Sequence, residues 1–477
     1  MTRNWKLGLV AASFAIAACD SNDTPSPVVP EPAPTFQLNV VHASPDAPAV
    51  NVLLDGAVAL SEVDYKGVSG QLRLNAGTST LEVRAILPDG SEAQVIPPDP
   101  DPPVSIDFAA DTVYTVIAVG KVADTGPTAL QAKIVTQPRT PVTAGNARVV
   151  VVHGAPSAPA VDVYVTAPGA DLAAEMPLNE MTPLAFNDDA LGPVEVPAGN
   201  YQIRITVAGN ADAVAFDSGE ITLNAGDDAV AIAIDNTNAG AGTVPGVGIP
   251  IPVSLLLATP GGGAELLDVQ TVADVRVTHA VPDAGLVDVY ANGALVGPLE
   301  DFDFTETRGP LGLPAGGYVL QVAPADTQNF VINPDGEETT LENGVFYDVL
   351  ATGSIADDNL GLLAAADDRR RLATAAKLRV IHGSPSTPDV DLYIVDETVT
   401  DITDVAPFSE DIPFLFNSGY LQVAAGTYNI YITPANSKTI AIAAEGIPLD
   451  ANGIYTAVAR DPVAPSMELG LILFDDF

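Results

Sequence analysis

Apolar residues along this chain come in short bursts. The segments Phe36 to His42, Ala49 to Leu54, Gly70 to Leu74, Ser79 to Leu87 and Thr112 to Val119 alternate or run apolar, with Gly, Pro, Asn and Asp between them. Apolar residues at a period of two over such lengths mark strands that rest one face on a core. Long stretches with apolar residues three and four apart are missing, so no crossover helices are expected. Short strands, frequent turn signals and no crossovers predict an all-β chain of antiparallel β-sandwiches, immunoglobulin-like or transthyretin-like, with about seven strands each.

The pattern occurs four times. VVHASPDAPAVNVLLDG from Val40, VVHGAPSAPAVDVYVTAPG from Val151, VTHAVPDAGLVDVYANG from Val277 and VIHGSPSTPDVDLYIVD from Val380 share V-x-H-[AG]-x-P-[DS]-[AT], then V-[DN]-[VL]. A second phrase follows in each copy: LRLNAGTSTLEVRAI from Leu72, VEVPAGNYQIRITVAG from Val194, LGLPAGGYVLQVAPA from Leu311 and LQVAAGTYNIYITPA from Leu421. A third closes each copy, as DTVYTVIAVG, DDAVAIAID, GVFYDVLATG or GIYTAVARD. The histidines lie about 103 to 126 residues apart, which is domain size and far longer than a solenoid repeat. Each copy is therefore expected to hold its own core.

Modules are assigned to residues 36–137, 147–258, 272–367 and 377–477. The joins run from Gln137 to Asn146, Thr259 to Thr271 and Asp367 to Ala376. Pro260-Gly-Gly-Gly-Ala264 in the second join is expected to bend. The third join carries Arg369-Arg370-Arg371, read as pairing with nearby carboxylates; as an exposed loop it is alternatively a site for proteolysis or a partner. PPDPDPP around Asp99 and Asp101 reads as a stiff extended loop. In the A-G-x-Y stretches at Ala198, Ala315 and Ala425 the glycine is expected to supply a positive φ in a hairpin, with the tyrosine packing into the sandwich.

Composition fits an exported β-protein, with 47% hydrophobic residues, 40 Gly and 41 Pro. A net charge of -42 with only 19 Lys and Arg excludes nucleic acid and anionic lipid surfaces as partners, since both require clustered cations. The acidity has two readings: Asp in turns on a soluble surface, or a surface that weakly holds divalent cations or suits a salty habitat. No D-x-[DN]-x-[DN]-G loop is present, so calcium has no specific site in the sequence.

Arg3 and Lys6 precede an apolar run, Leu7 to Ala18, too short to span a bilayer and laid out like a secretory signal over residues 1–18. It ends in Ile16-Ala17-Ala18-Cys19, which resembles a bacterial lipobox. That resemblance implies cleavage before Cys19, the only cysteine, and its acylation. Residues 19–35 then form a Pro-rich tether. The expected location is the bacterial cell envelope, at the outer membrane or cell surface or on the periplasmic face. With one cysteine no intramolecular disulfide can form, so stability must come from apolar burial.

Period-two alternation sets His279 with Val277 and His382 with Val380 on the inward face at the end of a strand. Two roles compete for His42, His153, His279 and His382. In one, the imidazole bonds turn backbone and fixes the strand end, and Asp162, Asp288 and Asp391 of the V-D-V phrase share that structural character. In the other, the ring is a metal ligand completed by Asp46, Asp283 or Asp389. One His per copy, with Ser157 and Ser386 replacing the carboxylate in two copies, makes a poor metal site. Ser44 and His42 suggest a nucleophile pair in the first copy alone, because Ala155 and Val281 replace the serine elsewhere. G-x-S-x-G, H-E-x-x-H and P-loop motifs are absent, and no cofactor is implied.

RVIHGSPSTPDVDLYI from Arg379, with LQVAAGTYNIYI from Leu421, resembles the bacterial domain-of-unknown-function family 4397. The resemblance extends to all four copies; module 1 departs from the pattern at Asn51 and Leu53, and modules 2 and 3 at Ala155 and Val281. It implies exported or surface-attached tandem β-domains with no assigned reaction. The resulting expectation is a non-enzymatic adhesion, scaffold or binding array, anchored in the membrane through lipid on Cys19, with a surface glycan or protein as partner. An enzyme or enzyme-accessory lipoprotein acting on an extracellular polymer is the rival class. A passive spacer is the third reading, which stiff, stacked module interfaces would favour.

Overall fold

In the first module Phe36, Leu38 and Val40 alternate with Gln37 and Asn39 along a strand that opens a two-sheet sandwich. The computed structural model describes residues 33–178, 180, 183–462 and 469–476. The signal segment, Cys19 and the tether up to residue 32 lie outside them.

Module 1 consists of β1 (Thr35–His42), β2 (Val50–Leu54), β3 (Ala57–Val63), β4 (Leu72–Asn75), β5 (Gly77–Ile86), β6 (Glu92–Ile96), β7 (Val104–Phe108), β8 (Thr112–Val119) and β9 (Gln131–Pro138). One sheet has the order β4-β1-β8-β9, the other β3-β2-β5-β6 with β7 also on β5. The other modules repeat this plan with eight strands each among the described residues, against about seven expected. Residues 1, 3 and 5 of the apolar alternation, Phe36, Leu38 and Val40, look into the sandwich, where Phe36 stacks on Phe108 at 4.4 Å.

Almost all strand pairs are antiparallel, with one parallel strand pair per module among the described residues. β1 runs alongside β8, pairing Val40 with Val116 and His42 with Ala118. The same pair recurs as His153 with Ala233, His279 with Ala351 and His382 with Ala459. A parallel pair needs a long connection, and here nearly the whole sandwich supplies it.

Several local expectations change. The A-G-x-Y stretch is no hairpin: the strands before and after it lie in opposite sheets, so it is the corner where the chain switches sheets. Of Gly199, Gly316 and Gly426 only Gly316 has a positive φ, and the tyrosine clamps the corner by donating its hydroxyl four residues back. Tyr201 bonds Pro197 O at 2.7 Å, Tyr318 Pro314 O at 3.0 Å and Tyr428 Ala424 O at 2.9 Å. The glycine-rich second join is itself paired: Gly262–Leu266 folds back on Val253–Thr259 as a hairpin. PPDPDPP closes into a tight turn, with Asp101 N donating to Pro98 O at 3.0 Å.

Each module has its own core, but the modules are not independent beads. The faces of β1 and β8 turned away from the sandwich are also apolar, and they bury themselves on the matching sheet of the next module. Val41, Ile117 and Val119 of module 1 pack with Val152, Ile232 and Ile234 of module 2. Modules 3 and 4 pair through Ala280, Leu350, Ile381, Val458 and Ile472. This second apolar patch is smaller, and an ionic network supplements it. Arg276 holds Asp348 at 2.6 Å and Asp475 of module 4 at 2.5 Å, while Arg379 of module 4 pairs with Asp348 of module 3. Three residues before each histidine, the 1·2 pair has Asn39 and Val150 where the 3·4 pair has Arg276 and Arg379. At this position one geometry is thus held by different residues, while ion pairs such as Lys121 with Asp235 at 3.5 Å join modules 1 and 2 elsewhere.

All three arginines of the third join find carboxylates: Arg369 at Asp475 (2.6 Å), Arg370 at Asp64 (2.9 Å) and Arg371 at Asp476. The middle one links module 1 to the third join.

Candidate functional site

Each histidine closes its strand with its ring almost wholly buried, at 0 to 2% exposure. His42 Nε2 lies 3.0 Å from Pro48 O, and its Nδ1 accepts the Ser44 N–H at 3.3 Å. His279 repeats this with Gly285 O and the Val281 N–H, and His382 with Pro388 O and the Ser384 N–H. His153 keeps the carbonyl contact, to Pro159 O at 3.0 Å. An acceptor at Nδ1 and a carbonyl at Nε2 assign the neutral tautomer protonated on Nε2. Burial pushes the His42 imidazole down to about 4 and lowers the other three in the same direction.

The histidine turn has a partner that sequence reasoning missed. An aromatic residue stands edge-on to each ring: Tyr65 at 6.1 Å, Phe186 at 6.4 Å, Phe304 at 6.1 Å and Phe414 at 6.3 Å. The residue after each aromatic takes a positive φ: Lys66 64°, Asn187 62°, Thr305 68° and Leu415 64°. That conformation aims its N–H at the histidine carbonyl, at 2.8, 2.9, 2.8 and 2.9 Å in module order. Side chains at these positions vary from Lys to Leu, so only the preceding aromatic could have signalled the turn.

The Asp of the V-D-V phrase binds backbone too. Asp288 accepts the N–H groups of Asp301 and Asp326, each at 3.0 Å, and Asp391 those of Asp411 and Asn436, each at 3.0 Å. All four donors have positive φ. Asp162 holds Gly209 N at 2.8 Å, and Asn51 accepts the Glu62 N–H at 2.8 Å in module 1. These side chains fix irregular backbone whose amides would otherwise lack partners.

The variable fourth position of the histidine phrase follows an exchange rule. Two residues beyond the alanine that pairs with each histidine stand Gly120, Asp235, Gly353 and Asp461. Where the histidine turn offers Asp, the opposite position is Gly; where it offers Ser, the opposite position is Asp. Asp46 accepts Val122 N at 2.8 Å and Ala123 N at 3.0 Å, and Asp283 accepts Ile355 N at 3.0 Å and Ala356 N at 2.9 Å. In modules 2 and 4 the carboxylate reaches the other way, Asp235 to Ser157 Oγ at 2.7 Å and Asp461 to Ser386 Oγ at 2.7 Å. The lost carboxylates are thus relocated, and the period of the chain is two modules.

The exchange also explains the glycines. Gly120 has φ +89°, and a Cβ there would lie 2.3 Å from Ala129 O; Gly353 has φ +110° with Asn359 O at 2.7 Å. Gly120→Ala is expected to lower the unfolding free energy by about 2 kcal/mol in urea titration. An unchanged midpoint would mean that this turn is free to relax.

These contacts leave the histidine little chemistry. Metal coordination needs the ring lone pair, which in modules 1, 3 and 4 already accepts a backbone N–H, and Asp389 is exposed with its backbone carbonyl bonded to Ala435 N. Among the described residues no three His, Cys, Asp or Glu side chains converge as a cation site. Ser44 Oγ points to Asp46 at 3.4 Å, and His42 receives the serine's backbone N–H instead, so the nucleophile pair is not assembled. A cleft of ≈ 550 Å³ between modules 1 and 2 and the third join contains Asp46 and Asp235, both already committed to the bonds above.

The fold and this turn define a tandem β-sandwich protein with a structural histidine in every repeat. The chain belongs to the family described as Domain of unknown function (DUF4397), whose model matches residues 36–164, 273–393 and 376–477. The first two matches run past one module into the histidine phrase of the next. No curated protein matches the chain in sequence. Among solved structures, the Bacillus anthracis TIE protein is 12% identical with a TM-score of 0.13, covering 92% of this chain and 76% of that one. A product complex of the multi-modular glycogen-degrading pneumococcal virulence factor SpuA is 10% identical with a TM-score of 0.16, covering 85% and 37%. Neither likeness bears on activity.

Proposed function

We propose that this is an exported, lipid-anchored protein of the bacterial envelope whose four modules form a rigid, non-enzymatic scaffold for a surface glycan or protein partner. The observation that carries the reading is that the histidine repeated in every module spends its ring on backbone. What the repeat maintains is therefore shape. The N-terminal pattern ending at Cys19 supports the anchor. Labelling cells with a fatty-acid analogue should mark the wild-type chain and leave Cys19→Ala unmarked; equal labelling of both would sink the anchor. A deletion strain that attaches and assembles like its parent would remove the adhesive role.

The spacer reading is favoured by a specific observation, the burial of sheet faces between modules 1 and 2 and between 3 and 4. Under it, replacing the modules by an unrelated rigid domain of equal length restores the deletion phenotype, whereas a partner-binding scaffold is not rescued.

A further inference from the structure

Module 1 holds an arginine. Arg370, 9% exposed, donates Nη1 to Ala47 O at 2.6 Å and Nη2 to Asp64 Oδ1 at 2.9 Å, with its guanidinium 5.2 Å from the Tyr65 ring centre. The backbone beside it joins in, Ala373 N donating to Asp46 O at 2.8 Å. A carbonyl, a carboxylate and an aromatic face are together what a planar guanidinium recognises and an ammonium satisfies less well. The arginine arrives on an extended segment more than 300 residues away in sequence.

Module 3 has the same parts. Ala284 stands five residues after His279 as Ala47 does after His42, and Asp303-Phe304 matches Asp64-Tyr65. The local bonds agree: Asp303 accepts the Phe304 N–H at 2.8 Å as Asp64 accepts that of Tyr65 at 2.7 Å, and Thr305 repeats the positive φ of Lys66. In modules 2 and 4 the residue before the aromatic is Ala185 or Pro413, which cannot pair with a cation. Asp303 is exposed and has no ion-pair partner among the described residues. Arg460 lies 5.7 Å from the Phe304 ring centre with its Nη1 on Asp461 O, so it leaves the carboxylate open.

We propose that the Ala284, Asp303 and Phe304 turn of module 3 is a second arginine site, open where its twin is filled from within, and that it receives an arginine carried on an extended segment of a partner protein. A chain of net charge -42 attracts such a segment before contact. The site goes beyond the anchored-scaffold reading and stands or falls apart from it, because its test uses only the purified chain.

The test is a calorimetric or NMR titration of the full chain with the capped peptide Asp-Arg-Arg-Arg-Leu-Ala, the sequence of residues 368–373. Expected is saturable binding of one peptide per chain, weakened about tenfold by Asp303→Asn, as for loss of one charge-assisted contact. That variant keeps the side-chain oxygen that caps the turn, so folding is not at issue. Lysine in place of the middle arginine should also weaken binding. Absence of saturable binding at millimolar peptide, or equal affinity for Asp303→Asn, overturns the proposal.

Discussion

Acidification from pH 6.5 to about 4 costs the folded chain several kcal/mol, and the four histidines account for much of it. Burial lowers their proton affinity in the native state, to about 4 for His42. The unfolded chain, with imidazoles near 6.5, therefore binds protons first as pH falls. Stability is at its full value above pH 6.5 and declines through the window down to the folded value, by about 3 kcal/mol for His42 alone. Asp367 and Asp268 work against this, because burial raises both carboxyls, that of Asp367 to about 6, and the folded state takes up protons there. Two carboxyls oppose four imidazoles, and His42 shifts further than Asp367, so the net slope remains positive with pH. Urea midpoints at pH 7, 5.5 and 4.5 read it directly. His42→Gln should melt lower at pH 7 and show a shallower fall; an unchanged slope in that variant would show that the histidines do not set the acid limit.

Arg379→Met is expected to destabilise the chain by about 3 to 5 kcal/mol, the cost of removing one partner from a buried ion pair. The Arg379 side chain is 1% exposed and faces Asp348 across the 3·4 interface, with Asp367 at 3.7 Å. Methionine matches the aliphatic stem, so what is lost is the charge, leaving those carboxylates against Arg276 and Arg369 alone. Asp367→Asn should be far milder, since that carboxyl is already held high and reaches its arginines without good hydrogen-bond geometry. Chemical unfolding that gives equal losses for both variants would show that the network is not what couples the pair. Because the contacts between modules 1 and 2 involve neither Arg379 nor its carboxylates, the transition of that pair should stay in place.

The strands and the four histidine phrases were legible in the sequence because one face of each strand alternates clearly. The pairing of modules also leaves a mark in the sequence. Val149 to Val152 is apolar at every position, which is what a strand buried on both faces looks like. The parallel pair could not be read, because it joins segments nearly a module apart. The companion turn was hidden for another reason: its requirement falls on a backbone angle, which Lys, Asn, Thr and Leu all meet when the surrounding bonds impose it. The exchange of Asp between opposite strands appeared in sequence as an unreliable motif. Only the register of His153 with Ala233, which sets Asp235 beside Ser157, turns that irregularity into a rule.

The parallel pairing of β1 with β8 also decides how the molecule meets a mechanical load. A pull on the chain from its N-terminal side first reaches Thr35, the start of a strand held between β4 on one edge and β8 on the other. The hydrogen bonds to both neighbours run across the strand, so tension along β1 loads them together in shear instead of peeling them one at a time. A strand at an outer edge, drawn sideways, would unzip. The segment that leads toward the N-terminus thus enters the fold at a point suited to withstand drag.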